Sequence, residues 1–399
     1  MRRLRKLIER IVEGLLTLSG GITSFVILLI IIFLFKEGLG LFHSPELENG
    51  YAICLNAGNP VEKLSSVQLK DIFNGDITNW NEVGGADEEI MPFRLDDIFS
   101  IYSDDEFGED YALLPQKLGE YIAENPGIIA FLPEKYLPEN IHVKTMRSEN
   151  ITLGNFLSGT EWMPTSTPTP QFALVPLILG TLWVSIFAIL IALPFGLGVA
   201  IYLSELAGER IRRVLKPAIE LLAGIPSVVY GFFGLVVIVP LVQKIFHLPV
   251  GETAFAGSLI LAIMALPTII TIAEDAMRGT PKEMREASLG LGATHWQTIY
   301  RVVIPYSSSG ISAAVVLGIG RAIGETMAVL MVTGNAAVIP DSLFEPVRTI
   351  PATIAAELGE APTGSSHYQA LFMLGCVLFL LTMLISFAAE MINKKKYAG

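Results

Sequence analysis

Apolar and polar positions fall along this chain in blocks. Uncharged runs cover Gly14–Phe35, Trp162–Ser204, Leu221–Gln243, Thr253–Ala273 and Ala361–Ala389. Ser307–Thr333 is apolar apart from Arg321 and Glu325. A helix needs about 20 apolar residues to cross a bilayer, so the pattern predicts six transmembrane helices. Pro164, Pro168 and Pro170 mark the first part of the second run as a linker. The polar block between the first two spans reads differently. Leu64–Gly85 has the spacing of a short amphipathic helix followed by a turn anchored on Trp80. Asn125–Leu132 reads as a turn into a buried strand. The predicted fold class is an α-helical integral membrane protein carrying an inserted α/β lobe.

Composition agrees with this. Of 399 residues, 52% are hydrophobic and 17% charged, whereas a soluble chain carries roughly 25% charge. The net charge of −12 hides a division. Residues 43–171 hold 22 acidic and 7 basic residues, a balance of −15, which leaves +3 for the rest. No basic patch suited to nucleic acid is present. Cys54 and Cys376 lie far apart, the second inside an apolar run, and read as free thiols.

Positive charge sets orientation. The N-terminus (Arg2, Arg3, Arg5, Lys6, Arg10), the segment after span two (Arg210, Arg212, Arg213, Lys216), the segment after span four (Arg278, Lys282, Arg285, Arg301) and the tail (Lys394, Lys395, Lys396) hold 16 of the 27 basic residues. All four share one side of a six-span chain. Both termini are therefore expected in the cytoplasm and the acidic block outside, with span one kept as an anchor. The expected layout is an N-terminal segment with helix 1 (1–43), an extracytoplasmic insert (44–160), a Pro/Thr-rich semi-extended linker (161–171), a domain of five further spans (172–393) and a cytoplasmic tail (394–399).

The cytoplasmic segment Arg278–Pro305 has its own pattern. Thr280 followed by Glu283 reads as a capping box, with Pro281 at the first helical position. A helix is expected from Pro281 to about Leu289, broken by Gly290 and Gly292, and then a second amphipathic stretch over Thr294–Val303. Glu286-Ala-Ser, Gly292-Ala and Val302-x-Ile-Pro305 together resemble the EAA loop of ABC importer permeases. That resemblance implies a type I importer core in which Glu286, Ala287, Gly292 and Pro305 belong to the surface that docks on an ATPase. The chain has no Gly-x4-Gly-Lys-Ser/Thr and no Gly-x-Ser-x-Gly or His-Glu-x-x-His. Phosphate-binding P-loop, hydrolase and zinc-protease chemistry are therefore not written in it. It reads as a transporter subunit, not an enzyme, with no cofactor of its own and with ATP on a partner.

Two charges fall inside the fifth span, in Gly318-Ile-Gly-Arg-Ala-Ile-Gly-Glu-Thr-Met327. Arg321 lies roughly 20 Å along a helix starting near Ser307. An arginine at that depth costs at least about 2.5–3.5 kcal/mol on insertion scales and marks a functional candidate. On a continuous helix Glu325 shares its face and is expected to pair with it. Gly318, Gly320 and Gly324 are expected to let another helix pack closely. This segment resembles the signature of phosphate permeases of the PstC type. So do Gly180–Ser185 through Ala200–Glu205, Gly224–Gly231, and Val347–Ile350 through Ala355–Ala361. The resemblance implies a phosphate translocation role for Arg321 and Glu325. It also implies a second related permease, a dimer of ATPase subunits and an extracytoplasmic phosphate-binding protein as partners in the bacterial inner membrane. Charge alone leaves molybdate, sulfate, or a sensor without transport as alternatives.

Ile72-Phe-Asn-Gly-Asp-Ile-Thr-Asn-Trp80 and Asn125–Leu132 resemble pieces of periplasmic phosphate-binding proteins. The likeness stops after Arg94, where an acidic run replaces the expected Ser-Gly-Thr loop. The insert thus reads as a single lobe without the ligand-binding loop.

Overall fold

The computed structural model describes residues 2–138, 141–146 and 150–395; for residues 2–9, 11, 389, 390 and 392–395 it describes the backbone only. The expected tail lies outside the described residues from 396 on, as do the side chains of Arg2–Lys6. The chain forms two units. One holds residues up to Gly38, Ala173–Ala361 and residues from Leu371; the other holds Leu39–Phe172 and Pro362–Ala370.

The chain begins with α1 (Arg2–Gly40). The second unit is then built on a mixed sheet of β1 (Tyr51–Asn56), β2 (Met91–Arg94), β3 (Ile128–Pro133) and β4 (Val143–Met146), in the order β2-β3-β1-β4. β1 pairs antiparallel with both neighbours, while β2 runs parallel to β3. Successive strand residues face opposite sides, and both sides are buried. Ile53, Leu55, Ile129 and Phe131 pack with Trp80 and with Ile72 of α2 (Ser66–Asn74). Cys54, Ala130 and Leu132 pack with Leu118 and Ile122 of α3 (Leu114–Glu124). Trp80 is an anchor, as its position suggested: it is buried, and its Nε1 donates to the Gly127 carbonyl at 2.9 Å.

After α4 (Leu153–Ser158) the Pro/Thr-rich stretch is not a tether. It folds as a hairpin, β5 (Trp162–Met163) on β6 (Gln171–Phe172). The Trp162 and Phe172 rings meet at 5.6 Å and Thr169 is fully buried. Aromatic burial at both ends outweighs the extended preference of the prolines.

The membrane unit runs through α5 (Val175–Ile201), α6 (Glu209–Ala223), α7 (Ser227–Phe233), α8 (Val239–Phe246), α9 (Ala254–Arg278), α10 (Lys282–Gly290), α11 (His295–Thr298), α12 (Ile304–Tyr306), α13 (Ser308–Gly324), α14 (Met327–Val332), α15 (Ile350–Glu357) and α16 (Ser366–Lys395). Five stretches among the described residues are long and apolar enough to cross a membrane: Val12–His43, Val175–Leu206, Ser227–Phe246, Ala254–Arg278 and Ser366–Ala388. The bent pair His295–Tyr306 and Ser308–Gly324, which meet at 70°, is apolar enough for a sixth only when its two helices are taken together. The third span opens at Ser227 rather than Leu221, because Gly224 and Pro226 end the amphipathic α6 first.

α5 and α9 form the centre of this unit. Ala188, Ala192, Leu261, Ala265 and Ile269 share one core with Ala322 of α13. Small residues allow the helices to approach. A Cβ on Gly196 would meet Ile269 at 2.8 Å, and one on Gly318 would meet the same side chain at 2.8 Å. Gly320 and Gly324 have open space instead. Of the three glycines expected to receive a helix, only Gly318 does so within this chain.

Candidate functional site

The fifth span is broken where its charges lie. α13 stops at Gly324, and Glu325 is extended, at φ −70° and ψ 132°. Arg321 therefore occupies the last turn of α13, where a cation meets the negative end of the helix dipole. The Glu325 carboxylate accepts from the Ala328 backbone N–H at 3.4 Å, a long contact beside the first turn of α14, whose N-cap is Thr326. The expected same-face pairing is thus overturned: Arg321 ends α13, while Glu325 lies in the extended link between α13 and α14. Among the described residues no ion pair or hydrogen bond reaches the Arg321 guanidinium, and its Nε is buried without a partner. Its charge acts on the hydroxyl of Tyr230, which itself donates to the Leu222 carbonyl at 2.9 Å.

A cation in such a setting is incompletely satisfied. Arg321 is half-buried, with its Nε fully covered, and an oxyanion offers the acceptors it lacks. The break adds backbone to the site, because carbonyls at the end of α13 lose their helical partners. Broken helices at membrane depth occur where the backbone is buried in protein or lines a cavity. Near the break, Gly324, Thr326, Pro351, Ile354, Ala355 and Leu378 line an open, mostly apolar groove of about 520 Å³.

Two further charged sites escaped sequence reading. Arg348 pairs with Glu357 at 2.6 Å, and its Nε donates to the Asn335 carbonyl at 3.1 Å. Glu274, 1% exposed, is held by Lys216 at 2.7 Å and Arg212 at 2.9 Å. The one signal for Glu274 is that it ends the uncharged run of the fourth span.

The loop between α9 and α13 has the expected helix, glycine turn, helix form. Glu286, Ala287, Gly292 and Pro305 are all exposed, as are Leu291 at 90% and Trp296 at 61%. Gly292, at φ +84°, makes the left-handed turn. Thr294 and Gln297 form a capping box on α11. The box expected at Thr280 is absent. Pro281 is the N-cap, and the Thr280 hydroxyl is buried without a partner. The Thr280 carbonyl accepts from Arg285 at 2.6 Å, which holds Thr280 back from the capping position.

In the α/β unit, Arg94 is exposed. It donates to the Thr167 hydroxyl at 2.9 Å and lies over the Phe73 ring. The acidic run after it folds into short 3-10 turns.

Residues 192–396 match the family described as "Binding-protein-dependent transport system inner membrane component", and residues 34–97 match the PBP superfamily domain. The chain is 44% identical over 250 residues to "Phosphate transport system permease protein PstC" of Mesorhizobium japonicum, spanning 58% of this chain and 75% of that protein. It is 41% identical over 241 residues to "Probable ABC transporter permease protein YqgH" of Bacillus subtilis, spanning 60% and 78%. Among solved structures it is similar to the MetNI methionine ABC transporter in an inward-facing conformation. That likeness has 19% identity and a TM-score of 0.46, over 56% of this chain and 95% of that one.

Proposed function

The chain belongs to the family of binding-protein-dependent transport system inner membrane components, and from that premise we propose that it is the permease subunit that carries inorganic phosphate through an ATP-driven importer. The observation that carries this reading is the unpartnered Arg321 guanidinium at the broken span, in a chain 37–44% identical to three PstC proteins.

Each part has a physical role. Arg321 offers a positive charge to the anion at membrane depth, and the dipole of α13 holds the guanidinium in place. Glu325, in the link, accepts from the first turn of α14 and helps hold the break open. A second, related permease completes the path; open space at Gly320 and Gly324 leaves room for its helix. The exposed loop from Glu286 to Pro305 docks on one of two ATPase subunits, where ATP is bound and hydrolysed. Closure of that pair moves the loop, and the loop moves the spans. The positive charge around α6 and α10 supports a cytoplasmic position for this loop and both termini. The acidic α/β unit then lies outside, where an extracytoplasmic binding protein delivers phosphate.

The test is uptake of labelled phosphate by proteoliposomes holding the assembled complex, with unlabelled phosphate, molybdate and sulfate as competitors. ATP-dependent uptake blocked by phosphate alone is expected. Stronger competition by molybdate or sulfate would reassign the cargo. ATP hydrolysis with no uptake of any oxyanion would leave a sensor.

A further inference from the structure

The coupling helix α10 is bound to the membrane helices chiefly by one side chain. No residue of α10 is buried. Arg285, partly covered at 20% side-chain exposure, reaches out of it in three directions. Its Nη2 and Nε donate to the two carboxylate oxygens of Glu205, at 2.8 and 3.2 Å. Its Nη1 donates to the Thr280 carbonyl at 2.6 Å, and Nη2 also donates to the Met277 carbonyl at 2.9 Å. Glu205 lies in the wide turn Tyr202–Leu206 that ends the α5 span, and its side chain is 9% exposed. Met277 lies in the last turn of α9. One guanidinium thus joins α10 to the ends of both central helices. The far side of α10 is tied only to the next helix, through Ser288 and Thr298 hydroxyls 3.0 Å apart.

We propose that the Glu205–Arg285 pair is the strut through which movement of α10 drives α5 and α9. Arg285 and Glu205 are positioning residues for the coupling step, and this rests on the importer reading above. A planar guanidinium gripping a carboxylate at two points resists rotation, whereas a single ammonium contact swivels. The strut therefore transmits both push and pull. Without it, α10 keeps its exposed docking surface but slides against α5. The Met277 carbonyl contact gives the same group its hold on α9, which shares a core with α5 and with the Arg321 helix.

The test compares the assembled complex carrying Arg285→Lys, Glu205→Gln and Glu205→Asp with wild type. Three quantities are measured: co-purification of the ATPase subunits, ATP hydrolysis, and phosphate moved per ATP. All three variants should retain the ATPase subunits and hydrolysis while phosphate per ATP falls at least about fivefold. The Arg285→Lys, Glu205→Gln double variant should fall no further than the worse single one, as expected for residues acting as a unit. Wild-type phosphate per ATP in the variants overturns the strut. Loss of the ATPase subunits in step with uptake also overturns it, because Arg285 would then serve only to fold α10. A wild-type complex that hydrolyses ATP and moves no phosphate overturns the importer reading itself.

Discussion

Arg321 and Glu325 lie four residues apart yet share no helix: the first closes α13 and the second lies in the extended link to α14, accepting from the Ala328 N–H at 3.4 Å. A continuous helix would have stacked and neutralised them. The break after Gly324 separates them and leaves the guanidinium without an acceptor from the described chain. The last turn of α13 thus keeps an unneutralised positive group, which the proposed anion route needs and a structural ion pair would remove.

Replacing Arg321 by Gln removes this charge. A hydrogen bond to a charged group contributes about 1.5–3 kcal/mol, so the initial rate of phosphate uptake should fall roughly 10- to 100-fold. Arg321→Lys keeps the charge without the fork and should retain an intermediate rate. Uptake of labelled phosphate by complexes of verified subunit content decides it. Wild-type rates for Arg321→Gln would reduce the residue to packing.

Glu325 acts here through its hydrogen bond from the Ala328 N–H. Its acceptor oxygen survives in Glu325→Gln and is lost in Glu325→Leu. Losing one hydrogen bond of this kind costs about 0.5–1.5 kcal/mol. Thermal unfolding of the detergent-solubilised complex should therefore leave the Gln variant near wild type and lower the midpoint for Leu. Equal midpoints for all three would remove this bond from the account.

The apolar runs located the spans because bilayer thickness imposes a length that composition alone satisfies. Trp80 was legible for a similar reason, since a lone large aromatic beside a turn has few places to go except a core. The break at Glu325 was not legible. Gly324-Glu-Thr contains no proline, and its cost is met by a hydrogen bond three residues on and by neighbouring helices. Thr280 and Pro281 fit a capping box in sequence, but Arg285 competes for the Thr280 carbonyl. The Arg348–Glu357 pair was not legible either, because nothing local shows that the chain folds back to bring the two within 2.6 Å. Glu205 and Arg285, 80 residues apart, meet only because α5 and α9 pack together.

Glu274 should be the most destabilising charge to remove from the membrane unit. It is 1% exposed and receives Lys216 and Arg212 at 2.7 and 2.9 Å. Glu274→Ala strips Arg212 of its buried partner, while Lys216 keeps Asp275 at 2.6 Å, and breaking a buried pair costs about 3–5 kcal/mol. Thermal unfolding should show a large loss. Glu274→Met combined with Arg212→Met should recover part of it, because apolar replacement removes the stranded charge along with its partner. A double variant less stable than Glu274→Ala would count against the network.

Cys54 adds an alkaline pH response to the α/β unit. It lies fully buried in β1, and burial pushes its thiol up from 9.0 to about 11, with the Thr145 hydroxyl at 3.9 Å pulling the other way. At pH 8 the native thiolate fraction is then about 100-fold below that of an ordinary cysteine. Maleimide labelling in a Cys376→Ser background should be slower than in denatured protein by at least that factor. The native rate should climb about tenfold per pH unit until near 11. Below pH 9 both folded and unfolded thiols hold their proton, so this group leaves stability unchanged. Between 9 and about 11 the unfolded chain releases its proton first, and stability falls as pH rises. Thr145→Val removes the one group that favours the thiolate, so it should move the labelling midpoint still higher. Native labelling at pH 8 as fast as in denaturant would place Cys54 outside the core that the β1 register requires.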